Sequence, residues 1–244
     1  MREILSDLVA EQQSLDQYLQ RIQLRDWKLP TAAKGWTIQD TISHLADSED
    51  LAADALVGGD RLRQLGPNQA MEAASRRAVV RGRGMRHQDV IEWWRGGRAK
   101  VVEPLSRMRT SDRVEWLHGS MAAQTFATVR LMETWAHGLD IYVATGTEVE
   151  DTARIRHVAW LAWKTLPYAF KAADQDYSPV RVEVMGPGYA KWVFGPGDTD
   201  EVVKGPAGEW ARLAVQRLPL SSAKGLQARG SVAETALRVV RAYL

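Results

Sequence analysis

Apolar residues recur at helical spacing over most of the first 170 positions, then switch to alternation near residue 180. Between residues 3 and 23 they are Ile4, Leu5, Leu8, Val9, Leu15, Tyr18, Leu19 and Ile22, with charges between them. This spacing predicts an amphipathic helix. Pro30 and Gly35 mark a loop. Thr37 is placed to cap a second helix, and Asp40 at the third position approximates a capping box. That helix runs to about Val57 and stops at Gly58-Gly59. Residues 60–88 are less regular, with a helix predicted over about 68–80. Helical spacing returns over 87–108, weakened by Gly96-Gly97 and open to a kink at Pro104. Residues 109–120 read as a loop. Residues 121–145 then form a helix that is apolar on nearly every side, ending at the Thr145-Gly146 stop signal. A helix of that kind is normally central in its domain.

A further helix is predicted over 151–173. Beyond it Val180-Arg181-Val182-Glu183-Val184 alternates with period two, a strand signal. Gly186-Pro187-Gly188 reads as a turn, 190–194 as a second strand and 201–204 as a third. A helix follows over 206–216, with Pro206 near its start. The last helix covers 231–243, with Ser231 as cap and Glu234 at capping-box spacing. The expected fold is therefore mainly α with a small α+β part. The pattern divides it into a helical bundle over 1–175 and a small α+β domain over 176–244.

Composition narrows the function classes. The 244 residues are 45% hydrophobic and 25% charged, an ordinary globular balance. Lys plus Arg is 32 against 30 for Asp plus Glu, so charge gives no argument for nucleic acid. No apolar run approaches membrane-spanning length, and the N-terminus shows no apolar leader core, so a cytoplasmic protein without membrane contact is expected. The chain has no cysteine. Thiolate metal sites and disulfides are excluded, and any nucleophilic thiol must come from a second substrate.

The candidate chemistry lies on the central helix. Its charged or metal-binding groups, Arg130, Glu133, His137 and Asp140, fall within an arc of about 80°. Such groups in a buried helix need partners. Glu133 and His137, one turn apart, can reach one ion, and His44 on the second helix is a third ligand of suitable type. Two histidines and a carboxylate leave positions open for water or substrate, the catalytic zinc pattern. Asp40, Asp47 and Asp140 are placed to orient the histidines. The competing reading is a purely structural stripe, with Arg130 facing Glu133 and Asp140 facing His137. His118, in the loop before the central helix, is placed to hang over the site. The arginines between 76 and 86 read either as a solvated surface or as anion ligands.

Two motifs add to this reading. Gly35-Trp36-Thr37-Ile38-Gln39-Asp40 with Ser43-His44-Leu45 resembles the second-helix motif of the DinB-like, mycothiol-dependent maleylpyruvate isomerase superfamily. Glu133-Thr134-Trp135-Ala136-His137-Gly138-Leu139-Asp140 is similar to that family's Glu-x-x-x-His-x-x-Asp helix. The resemblance implies an N-terminal four-helix metal-binding bundle and a small C-terminal domain. It implies a divalent ion, usually zinc, held by His44, Glu133 and His137. It also implies a low-molecular-weight thiol cosubstrate, mycothiol in the family, activated for isomerisation or S-transfer of a small molecule. On this reading Asp140 and Arg130 serve catalysis. Arg130, Arg83 and the neighbouring arginines, with Arg229 in the second domain, are candidates to hold a substrate carboxylate. Two alternatives stand beside it: a hydrolase using metal-bound water, and a non-catalytic metal- or ligand-binding protein. Either a monomer or a homodimer is compatible with the sequence.

Overall fold

The computed structural model describes residues 1–65, 70–117 and 119–242, with backbone alone at 70–73. Its contacts divide the chain into two compact units, Met1–Val149 and Glu150–Leu244. The sequence reading placed this division near residue 176. The difference arises because the helices after residue 150 bury their apolar faces within the second unit.

The first unit is built on four long helices: α1 (Arg2–Leu19), α2 (Ile38–Leu56), α5 (His87–Arg107) and α6 (Ala123–Ala144). Two shorter helices, α3 (Arg61–Leu65) and α4 (Ala70–Arg83), connect α2 to α5. The helix predicted over 68–80 corresponds to α4, which runs on to Arg83; residues 68 and 69 lie outside the described residues. The strands β1 (Arg113–Trp116) and β2 (Gly119–Ala122) form an antiparallel hairpin before α6. The central helix therefore begins at Ala123 and not at residue 121. Residues 119–122 satisfy their backbone by pairing with β1, which the apolar run alone does not reveal.

Helix α2 starts where Thr37 caps it. Thr37 Oγ1 accepts from the Asp40 amide, and Asp40 Oδ2 accepts from the Thr37 amide at 2.9 Å. This closes the box that the sequence approximates. The helix packs against α4, α5 and α6, and glycines allow the close approach. A Cβ on Gly97 of α5 would lie 2.8 Å from that of Glu49, and one on Gly82 of α4 would collide with the Ser43 hydroxyl. The Gly96-Gly97 pair that weakens α5 as an isolated helix thus serves its packing. Leu15, Leu19, Ile38, Ile42, Leu45, Val90, Ile91, Trp94 and Ile141 meet in one buried cluster.

The second unit holds α7 (Ile155–Lys164), α8 (Leu166–Ala172), α9 (Ala207–Ala214) and α10 (Ser231–Val239). Its sheet comprises β3 (Arg181–Met185), β4 (Lys191–Phe194), β5 (Val202–Pro206) and β6 (Gln227–Arg229), in the order β4-β3-β5-β6. β3 is antiparallel to β4 and parallel to β5. The single helix expected over 151–173 is two. Pro167 cannot donate an amide to the preceding turn, and the chain breaks at Thr165, whose hydroxyl donates to Leu161 O at 2.9 Å. α7 packs on α9, where Trp210 Nε1 donates to Ala159 O at 3.0 Å. The expected Ser231 cap is displaced by one residue. Gly230, at φ 94°, occupies the cap position, and Glu201 Oε2 accepts the Ala233 amide at 2.8 Å.

Candidate functional site

Antiparallel packing of α2 on α6 brings His44 beside Glu133 and His137. Ligand-capable atoms of the three all lie within 4.8 Å of one another. Glu133 Oε2 is 3.8 Å from Nε2 of His44 and 3.8 Å from Nε2 of His137. Those separations are too long for hydrogen bonds. The imidazole rings meet edge to face with centroids 5.0 Å apart. All three side chains are between 12% and 19% exposed, so the trio is shielded but reachable.

Each imidazole is held from its other side. His44 Nδ1 lies 3.2 Å from Ser75 Oγ on α4. His137 Nδ1 lies 3.1 Å from Asp140 Oδ2, one turn along α6, and Asp140 is buried. Trp36, just before the α2 cap, packs beside both rings, with centroids 5.1 Å from His44 and 6.5 Å from His137. Burial pushes the His44 imidazole pKa down, toward the neutral form. Burial also acts to raise the Glu133 pKa, but His44, His137 and Arg130 around it outweigh this and hold the carboxyl at about 2. Both shifts favour the deprotonated forms, which are the forms that metal ligands take.

Donor chemistry and spacing are compatible with an ion. Nitrogen and oxygen ligands at about 2.0–2.2 Å from one centre stand about 3.4 Å apart at a tetrahedral angle and farther at wider ones. The 3.8 Å separations fall in that range.

Several other side chains named from the sequence are engaged elsewhere. Arg130 is 1% exposed and donates from Nε and Nη2 to Glu49 Oε1, each at 3.3 Å. Its hydrogen bonds go to Glu49 and not to Glu133, as the structural-stripe reading has it, and at 1% exposure it does not open toward a substrate. Burial pushes the Glu49 carboxyl upward against the pull of Arg130. Asp40 does not orient a histidine. Its oxygens take Thr37 and the Arg83 fork, at 2.9 and 2.8 Å. Arg83 is tied to Asp40 and also donates from Nη2 to Gly35 O at 3.0 Å, so its Nε and Nη2 already have partners. Asp47 accepts from Arg61 at 3.3 Å instead of from His44. Arg229, in the second unit, is 3.3 Å from an Asp200 carboxylate oxygen. His118 lies outside the described residues.

Sequence reasoning missed Ser75 and Trp36. Trp36 sits inside the quoted α2 motif, so a signal was present. Ser75 gives none, because only the packing of α4 on α2 brings it to His44.

Comparisons with known proteins agree with this architecture. Residues 8–142 match the mycothiol maleylpyruvate isomerase N-terminal domain family. Two uncharacterized Mycobacterium tuberculosis proteins, from strains CDC 1551 and H37Rv, are each 32% identical over 98% of this chain and 94% of their own length. The crystal structure of the mycothiol-dependent maleylpyruvate isomerase superposes with a TM-score of 0.61 at 16% identity, over 93% of this chain and 92% of that one. A histidine-to-alanine variant of that enzyme gives 0.60 over the same shares. At that identity the likeness speaks for the fold. The match over more than half of the chain, with the two full-length relatives, shows that this protein belongs to the mycothiol maleylpyruvate isomerase N-terminal domain family.

Proposed function

We propose that this protein is a metal-dependent enzyme that uses a low-molecular-weight thiol of the mycothiol class to isomerise a small electrophilic substrate, or to attach that thiol to it. His44, Glu133 and His137 would hold a divalent ion, zinc by its preference for this donor set. The observation that carries the reading is the arrangement around the two imidazoles. Both turn Nε2 toward one carboxylate oxygen at 3.8 Å while Ser75 and Asp140 engage Nδ1. Membership of the family supports the thiol. So does the absence of cysteine, which leaves no nucleophilic sulfur in the chain itself.

The residues have distinct tasks. In the tautomer that donates Nδ1–H to Ser75 Oγ and Asp140 Oδ2, each Nε2 presents its lone pair to the centre. Asp140 is thus a positioning residue for His137, and Ser75 for His44. Glu133 supplies the negative charge. Trp36 packs beside both rings and gives the site an apolar wall. A divalent ion held there lowers the pKa of a coordinated thiol, so that the thiolate is available at neutral pH.

Elemental analysis of purified protein, paired with turnover assays with and without added thiol, tests the reading. Near-stoichiometric zinc and thiol-dependent turnover are expected in the wild type. In His137→Ala both should fall at least tenfold, with helix content unchanged by circular dichroism. Full metal occupancy in that variant removes the ligand assignment. Turnover that ignores thiol moves the protein to metal-water hydrolysis, and a metal-free protein with unaltered melting leaves the trio structural.

A further inference from the structure

A cavity lies in the first unit where α2, α3 and α4 meet. It has a volume of about 430 Å³ and is lined by α2, α3 and α4. Its charged lining consists of Arg61, Arg77, Arg81 and Asp47. Asp47 is the only acid among the described lining residues, and Arg61 already holds it at 3.3 Å. Arg77 and Arg81 have no carboxylate within ion-pair distance among the described residues. Arg81 is nonetheless fixed in place. Its guanidinium carbon lies 3.9 Å from the centroid of the Trp93 ring, and Trp93 Nε1 donates to Asp50 at 2.7 Å. A stacked guanidinium keeps its in-plane N–H donors free for another ligand. Gln64 adds an uncharged donor at the rim.

Two arginines lining a cavity, with no acid paired to them among the described residues, form a receptor for an oxyanion. A carboxylate and a phosphate share the feature that matters: two oxygens that one guanidinium can take in parallel. The cavity also connects to the trio through short covalent steps. Asp47 follows His44 on α2 by one turn. Ser75, whose hydroxyl meets His44 Nδ1, lies between the lining residues Ala74 and Arg77 on α4.

We propose that this cavity is an anion-binding site, with Arg77 and Arg81 as its ligands, for the acidic group of a small molecule. Its affinity comes from the arginines and does not depend on an ion at His44, Glu133 and His137, so it goes beyond the reading above and can fail independently.

Isothermal titration of the full chain with inorganic phosphate, and separately with succinate, tests it. Binding should weaken at least tenfold in Arg77→Gln/Arg81→Gln, and weaken with rising salt. The zinc content and circular dichroism of that variant should match the wild type, which confirms folding. His137→Ala should bind the same probe with wild-type affinity. Preference for phosphate or for succinate identifies the acidic group. Unchanged affinity in the double arginine variant overturns the proposal, as does loss of binding in His137→Ala, which would place the anion on the metal instead. Failure of both probes to bind the wild type also overturns it.

Discussion

Arg130 and Glu133 are one turn apart on α6, yet they have different partners. Glu133 faces two imidazoles, and Arg130 faces Glu49 with 1% exposure against 0% for the acid. The second oxygen of Glu49 has no hydrogen-bond partner among the described residues. Burial without full satisfaction makes such a pair expensive to break from one side, because the remaining group stays desolvated. Arg130→Met is therefore expected to destabilise the protein by about 3–5 kcal/mol. Adding Glu49→Met should recover much of the loss, since an apolar pair needs no hydrogen bonds. Urea unfolding of the single and double variants measures both. Equal loss in the two would show that the cost is packing and not charge. At this scale the sequence was informative about which residue types stand on the stripe. It was uninformative about the partner of Arg130, which comes from α2, 81 positions away.

The same contrast appears between elements. Asp16 on α1 is clamped by two arginines of α5: Arg95 at 2.9 and 2.6 Å, and Arg98 at 2.8 Å. Burial acts to raise the Asp16 pKa, but hydrogen bonds from Arg95, Gln20 and Arg98 prevail and lower it from 3.8 to about 2. A carboxyl depressed in the folded state stabilises it above the unfolded value and loses that contribution as pH falls toward the folded one. After allowance for solvent screening the contribution is about 1–2 kcal/mol. Asp16→Asn should therefore lower stability at pH 6 by about that amount, with the gap to wild type closing between pH 4 and pH 2. Denaturation curves across this range check it, and a gap independent of pH would mean that Asp16 acts through packing alone. The helices themselves were legible, because their apolar periodicity is a local property. Their ends were less so. Residues 121 and 122 read as the start of the helix but pair with β1, and Ser231 gave up its cap position because Glu201, from a distant segment, reaches the Ala233 amide.

For the whole molecule, an ion bound by the native trio and not by the unfolded chain would couple metal to stability. Zinc at a hundredfold excess over its dissociation constant should raise stability by about 2.7 kcal/mol. Chelation should reverse the gain, and His137→Ala should show no response. Calorimetric melting with zinc and with chelator reads the effect, and a wild-type melting temperature that ignores both would argue against an ion in the native state. No helix among the described residues is long and apolar enough to cross a membrane. The division into two units lies at residue 149, earlier than the change from helical to alternating pattern near 176. Periodicity reports secondary structure, whereas a domain boundary depends on which surfaces bury one another, and α7 buries its face against α9. By itself the sequence determined the helical class, the existence of the late sheet and the stripe of Glu133, His137 and Asp140, since each depends on residues within a few turns or a few strand positions. Only the tertiary structure decided that Ser75 and Trp36 hold the imidazoles, that Arg83 and Arg130 are bound to acids, and that Arg77 and Arg81 line a cavity. Those outcomes depend on the packing of α4 and α6 around α2, and contacts between segments so far apart leave no trace in local spacing.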